Sequence, residues 1–172
     1  MNEINLVNEI GARIGLIDKL EAHIKGKLHE AFSIFIFNKK QELLLQRRAL
    51  TKYHSGGLWT NTCCSHPKAG EKLEIAVHRR IKEEMGFDSS MREMYTFTYK
   101  VKIETSGLIE NEFDHVFIGY VDAITIKPNS EEVDAYKWIR IEDLKKEVDL
   151  KPKQYTEWLK IILNSGKLDL NR

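Results

Sequence analysis

The chain has 172 residues, a net charge of +1, and 42% hydrophobic against 31% charged side chains. That is enough for one domain with a sizeable core. Its apolar runs are short and no signal-peptide core follows the charged start, so no membrane segment and a cytoplasmic setting are expected, and the near-neutral balance gives no electrostatic case for nucleic acid.

The first predicted element is a buried strand over 31–37, Ala-Phe-Ser-Ile-Phe-Ile-Phe, turning through Asn38, Lys39 and Lys40 to a hairpin partner over 42–47. A loop ending in Ser55, Gly56 and Gly57 leads to a short strand at 58–61 with Cys63 and Cys64 at its end. These two cysteines are neighbours, which disfavours a disulfide between them and leaves no CxxC spacing for zinc, so at least one free thiol is expected. After Pro67, Lys68, Ala69 and Gly70, a charged helix is predicted over 71–85. Longer strands follow at 94–104 and 112–124, rich in β-branched and aromatic residues, with a turn near Ser106 and Gly107. A strand at 135–140 and two amphipathic helices, 141–148 and 152–163, close the chain, the second carrying Trp158. No repeat or linker divides it. The expectation is a single domain over 1–172, with its core at about 27–165, of α/β (α+β) class.

On the central helix, Leu73, Val77 and Ile81 recur every four residues and form the core stripe beside Ala76. Arg80 and Glu84 then lie one turn apart at the margin of the buried face, whereas Arg79 and Glu83 point further out. Glu110 and Glu112 alternate at the start of a strand, so they project from one face, where two like charges need solvent, a metal or a shared proton. His23 and His29 precede the first long strand, and His66 lies two residues beyond Cys64. Three imidazoles and two carboxylates are a five-donor set suited to Zn, Mn, Mg or Fe. His54, His78 and His115 have no comparable partners and read as ordinary histidines.

The stretch from Glu71 to Phe87 resembles the Nudix pattern at Glu71, Arg79, Ile81, Glu83, Glu84, Gly86 and Phe87. It departs at Ser65, where the pattern opens on Gly, and at Arg80, where it has a carboxylate important for metal binding in hydrolases. Arginine cannot bind a cation, but it can hold a diphosphate through charge-assisted hydrogen bonds.

Four further motifs sharpen the likeness: Lys-Leu-His-x-Ala-Phe-Ser at 27–33, Arg-Arg-Ala-Leu-x-Lys at 47–52, Trp-Thr-Asn-x-x-Cys-x-His-Pro at 59–67 and Glu-Asn-Glu at 110–112. Together they resemble the type I isopentenyl-diphosphate:dimethylallyl-diphosphate isomerases, a family that uses the Nudix fold, over about residues 15–160. The resemblance implies a mixed β-sheet sandwiched between helices and an isomerase of isoprenoid biosynthesis that moves a proton across a carbon–carbon double bond.

It also implies roles for particular residues. Cys64 and Glu112 would be the two acid/base groups, on opposite faces of the substrate. Tyr99 would position Glu112, with Lys100 competing for that place. His23, His29, His66, Glu110 and Glu112 would hold one divalent metal (Mn, Mg or Zn), and Glu84 would contribute to a Mg accompanying the diphosphate. Lys19, Arg48, Lys52 and Arg80 would bind the diphosphate, and Trp158 would face the positive charge on the hydrocarbon. The partner implied is a small isoprenoid diphosphate, and oligomeric state is left open. A Nudix hydrolase of a diphosphate-containing substrate is the alternative enzyme, supported by Glu83 and Glu84 and opposed by Arg80. A noncatalytic binding or scaffold protein would leave Cys64, Glu112 and the histidines unexplained together.

Overall fold

A computed structural model describes residues 2–168. The chain runs β1 (Glu3–Val7), β2 (Arg13–Asp18), α1 (Lys19–Lys25), β3 (His29–Asn38), β4 (Glu42–Arg48), β5 (Trp59–Thr60), β6 (Cys63–Ser65), α2 (Leu73–Met85), β7 (Met91–Lys102), β8 (Ile109–Val121), β9 (Val133–Arg140), α3 (Ile141–Leu150), a 3-10 turn (Pro152–Gln154) and α4 (Glu157–Asn164). Nine strands join in one mixed sheet among the described residues, and no described helix is long and apolar enough to cross a membrane.

β3 is the axis of this sheet. It pairs in parallel with β8 from His29 opposite Glu112 to Asn38 opposite Val121. Phe32, Ile34 and Ile36 pack on Ala76, Val77, Ile81 and Met85 of α2, whereas Phe35 and Phe37 pack with Leu144 and Val148 of α3 and Leu159 and Ile162 of α4. A strand covered on both faces reads as a continuous apolar run, which is why 31–37 shows no polar alternation. Each fully buried large side chain there contributes about 1.5–3 kcal/mol.

The hairpin of β3 and β4 is paired only at Phe37 and Leu43, after which the two strands splay and β6 enters beside β3. Splayed strands leave backbone groups that need partners, and the Trp-Thr-Asn-Thr segment supplies them. The Ile36 N–H donates to the Thr62 hydroxyl at 2.9 Å, and that hydroxyl donates to the Leu44 carbonyl at 2.7 Å. The Asn61 side-chain amide donates to the carbonyls of Cys63 (2.7 Å) and Ile34 (3.2 Å). This bridge fixes the register of β6, so Cys64 sits opposite Ser33.

At the end of α2, Gly86 has φ 74°, and a Cβ there would lie 2.3 Å from the Lys127 carbonyl oxygen, so both backbone shape and space require glycine.

Several elements differ from expectation. No strand or helix was expected before residue 31, yet β1, β2 and α1 are formed there and bury Ile4, Val7 and Ala22. The strand expected at 58–61 is a two-residue β5, separated by the Asn61 and Thr62 bridge from a distinct β6. The helix expected at 152–163 is broken at Tyr155 and Thr156, where the Thr156 N–H donates to the Trp59 carbonyl at 3.0 Å and its hydroxyl to Thr60 Oγ1 at 2.9 Å. That docking ties α4, and with it Trp158, to the strand leading to the cysteines.

Candidate active site

Adjacent strands bring the acid/base candidates together. Glu112 of β8 lies between His29 of β3 and Tyr99 of β7 in register. The buried Tyr99 hydroxyl donates to Glu112 Oε2 at 2.6 Å, while Lys100 is exposed, so the geometry favours Tyr99 over its neighbour. Burial and the Glu112 carboxylate push the Tyr99 hydroxyl well above its ordinary pKa, which keeps it a donor. Successive strand residues face opposite sides: Cys63 is sealed in the core with α2, whereas Cys64 lines a cavity of about 470 Å³, including its open mouth. Burial pushes the Cys64 thiol up to about 12 against the pull of Arg48, whose Nη1 is 3.8 Å from the sulfur. At neutral pH it holds its proton.

The ligand candidates converge at the same end of the sheet. α1, capped by the Asp18 carboxylate and closed by Gly26 in the left-handed region, presents His23 from its last turn. His23 Nδ1 donates to the Lys19 carbonyl at 2.6 Å, and His29 Nδ1 to the Lys27 carbonyl at 2.8 Å. Both Nδ1 atoms are thereby engaged, so Nε2 is the nitrogen each ring turns inward, where a metal would take it.

His66 Nε2 is 3.2 Å from His29 Nε2 and 3.0 Å from Glu112 Oε1. His23 Nε2 is 3.3 Å from Glu110 Oε2 without hydrogen-bond geometry, and it is buried with no partner. The donor atoms of His23, His29, His66 and Glu112 all lie within 4.8 Å of one another. One ion with ligands at about 2.0–2.2 Å closes such a span with small movements. Burial and the neighbouring Glu112 charge raise the Glu110 carboxyl to about 7. Burial opposes ionisation of Glu112 too, but His29 and His66 outweigh it and hold Glu112 well below the usual range. Inward-facing Nε2 atoms, one of them without a hydrogen-bond partner, and two buried carboxylates form a donor set that fits a divalent cation.

Lys19, Arg48, Lys52 and Arg80 line the cavity that Cys64 and Glu112 also line. Burial and the charges of Arg48 and Arg80 lower the pKa of Lys19. Lys52 is lowered by burial, partly offset by Glu84. An anion placed among these cations would relieve that strain. Lys52 is paired with Glu132, and Arg80 with Glu83 (2.7 Å), Glu132 (3.4 Å) and Glu84. Glu84 also accepts from Gln46 Nε2 at 2.7 Å, and it belongs to neither cluster of metal-ligand donors among the described residues. Arg79 points further out and forks onto Glu71 at 2.7 and 2.8 Å, as its position on α2 predicts. Trp158 is buried, donates from Nε1 to Thr60 Oγ1 at 2.8 Å, and carries the Arg48 guanidinium 5.4 Å from its ring centroid.

Of the other three histidines, the reading of His54 needs correction. His54 is buried with its Nε2 3.1 Å from Glu110 Oε1, and it forms a second donor cluster with His23 and Glu110. Nothing local in the sequence marks it, because the loop after β4 folds back to meet β8, far away in the chain. His78 and His115 pair with single carboxylates near the surface, Asp88 at 2.6 Å and Glu93 at 3.2 Å, as ordinary histidines do. Asp114 was missed as well, although it continues the alternation of Glu110 and Glu112; it is buried and accepts from the Ser33 hydroxyl at 2.8 Å.

A NUDIX domain is matched over residues 27–159. The chain is 44% identical over 161 residues to the isopentenyl-diphosphate Delta-isomerase of Pectobacterium atrosepticum, covering 94% of this chain and 89% of that one. It is 50% identical over 159 residues to isopentenyl-diphosphate Delta-isomerase 2 of Photorhabdus laumondii, covering 92% and 89%. In fold it resembles a crystal structure from Deinococcus radiodurans with TM-score 0.78 at 20% identity, over 95% of this chain and 98% of that one. A MutT protein from Methanosarcina mazei superposes with TM-score 0.66 at 19% identity, over 84% and 96%.

Proposed function

Because the chain belongs to the isopentenyl-diphosphate Delta-isomerase family and carries its NUDIX domain, we propose that it interconverts isopentenyl and dimethylallyl diphosphate. The observation that carries this reading is the pairing, across one cavity, of a protonated thiol at Cys64 with a Tyr99-bound carboxylate at Glu112. One group gives a proton to the terminal alkene carbon, leaving a tertiary carbocation. The other takes a proton from the methylene next to that cation, and the double bond forms there, with no net change in protons. Arg80 in place of a carboxylate disfavours the hydrolase alternative.

Each surrounding residue has a task. Tyr99 orients Glu112. Lys19, Arg48, Lys52 and Arg80 hold the diphosphate so that it neither leaves nor turns, and Glu84 steadies Arg80 and stands ready for a Mg that arrives with the diphosphate. Fixing the charged end places the small hydrocarbon between thiol and carboxylate. The Trp158 ring, already facing a guanidinium, offers its π face to the carbocation without a nucleophilic atom that could trap it. A divalent cation held by His23, His29, His66, Glu110 and Glu112 would lower the charge density of the Glu112 carboxyl, easing proton exchange with carbon.

Incubating the purified protein with isopentenyl diphosphate, Mg2+ and Mn2+ tests this reading. The acid-labile allylic isomer is expected; release of inorganic phosphate or diphosphate without isomer would favour the hydrolase. Arg80→Gln, which keeps a donor but removes the charge, is expected to raise KM roughly 10- to 100-fold, since a hydrogen bond to a charged group is worth about 1.5–3 kcal/mol. An unchanged KM would leave Arg80 as the ion-pair partner of Glu84 alone. For Trp158, activity is expected to fall in the order Trp, Phe, Leu, with the Leu variant losing about tenfold or more in kcat. Melting temperatures separate this from packing: equal rates for Phe and Leu, or losses that follow unfolding, would reduce Trp158 to a core residue.

A further inference from the structure

The loop between β4 and β5 spends conformational energy to deliver one imidazole. Ser55 takes φ 52° although it is not glycine, and Gly57 takes φ 76°. A Cβ on Gly56 would lie 2.7 Å from the Leu50 carbonyl oxygen. Arg48 Nη2 donates to the His54 carbonyl at 3.4 Å, and the Gly57 N–H donates to the Arg48 carbonyl at 2.9 Å. Tyr53 and Trp158 meet the His54 ring edge-on, with centroids at 4.3 and 6.0 Å. The ring is thus held on both sides, and its Nε2 meets Glu110.

Glu110 has two oxygens with different neighbours. Oε2 lies 3.3 Å from His23, and Oε1 lies 3.1 Å from His54. Ser55 Oγ is 3.2 Å from His54 Nδ1. If the hydroxyl donates to Nδ1, Nε2 carries the hydrogen and faces Oε1 at 3.1 Å, which leaves Oε2 on the side of His23. With Glu110 ionised, as a metal ligand is, the opposite tautomer would set a lone pair against a carboxylate oxygen. We propose that His54 is a positioning residue that holds Glu110 Oε1, turns Oε2 toward His23 and thereby sets the metal affinity of the site. This rests on the metal reading above, but not on the isomerase activity.

Co2+ titrated into metal-free protein by calorimetry tests it, alongside the visible spectrum of the bound ion. Removing a partner that orients a metal ligand typically costs 10- to 100-fold in affinity, and His54→Ala is expected to show a loss of about that size. His54→Gln, whose amide can donate to Oε1, is expected to recover most of the affinity and keep the wild-type Co2+ spectrum. Wild-type affinity in His54→Ala overturns the proposal, as does a Gln variant no better than Ala. A changed Co2+ spectrum in His54→Gln makes His54 a ligand and also overturns it. A protein that binds Co2+ in this pattern yet isomerises nothing would sink the proposed function and leave the role of His54 standing.

Discussion

Cys64→Ala is expected to lower kcat by about 100- to 10,000-fold, the range for losing a general acid or base, while Cys63→Ala keeps wild-type kcat within a few-fold. The two thiols differ by one position, but β6 turns Cys64 to the cavity and Cys63 into the core against α2. The contrast therefore tests the register set by Thr62 and Asn61 as well as the chemistry. Steady-state kinetics on both variants, with melting curves to show that each is folded, decide it. If Cys63 were the essential thiol, the assignment of the acid/base pair would fail.

The second large effect is metal removal. Dialysis against a chelator, with metal content followed by elemental analysis, is expected to reduce turnover to background, and Mn2+, Mg2+ or Zn2+ to restore it. Glu110 and Glu112 are buried side by side, and a cation held between them and the histidines offsets the repulsion of two carboxylates. Full turnover in protein shown to be metal-free would contradict this account.

Much of this arrangement is written in local patterns. The apolar run of β3 and the four-residue spacing on α2 give the sandwich, and alternation alone puts Glu110 and Glu112 on one face. The spacing on α2 also separates Arg80 and Glu84 from the outward-facing Arg79 and Glu83. Other parts have no local signature. β2 is an edge strand with Ile14 and Leu16 exposed, so its residues alternate without any inside and outside to report. The break at Tyr155 and Thr156 depends on their docking to Trp59 and Thr60, almost a hundred residues earlier in the chain. His54 reaches Glu110 only because Ser55 and Gly57 take left-handed backbone shapes, a tertiary choice that residue type alone does not dictate.

The most direct test of the central claim is to run the reaction in D2O with isopentenyl diphosphate and follow the products by NMR. Proton transfer through Cys64 and Glu112 predicts dimethylallyl diphosphate carrying deuterium in a methyl group, because the former terminal alkene carbon receives its new hydrogen from a group that exchanges with solvent. Isomer formed without deuterium would mean that hydrogen moves within the substrate, and phosphate or diphosphate released in place of isomer would mean that the cavity cuts the group it is proposed to hold; either result contradicts the account.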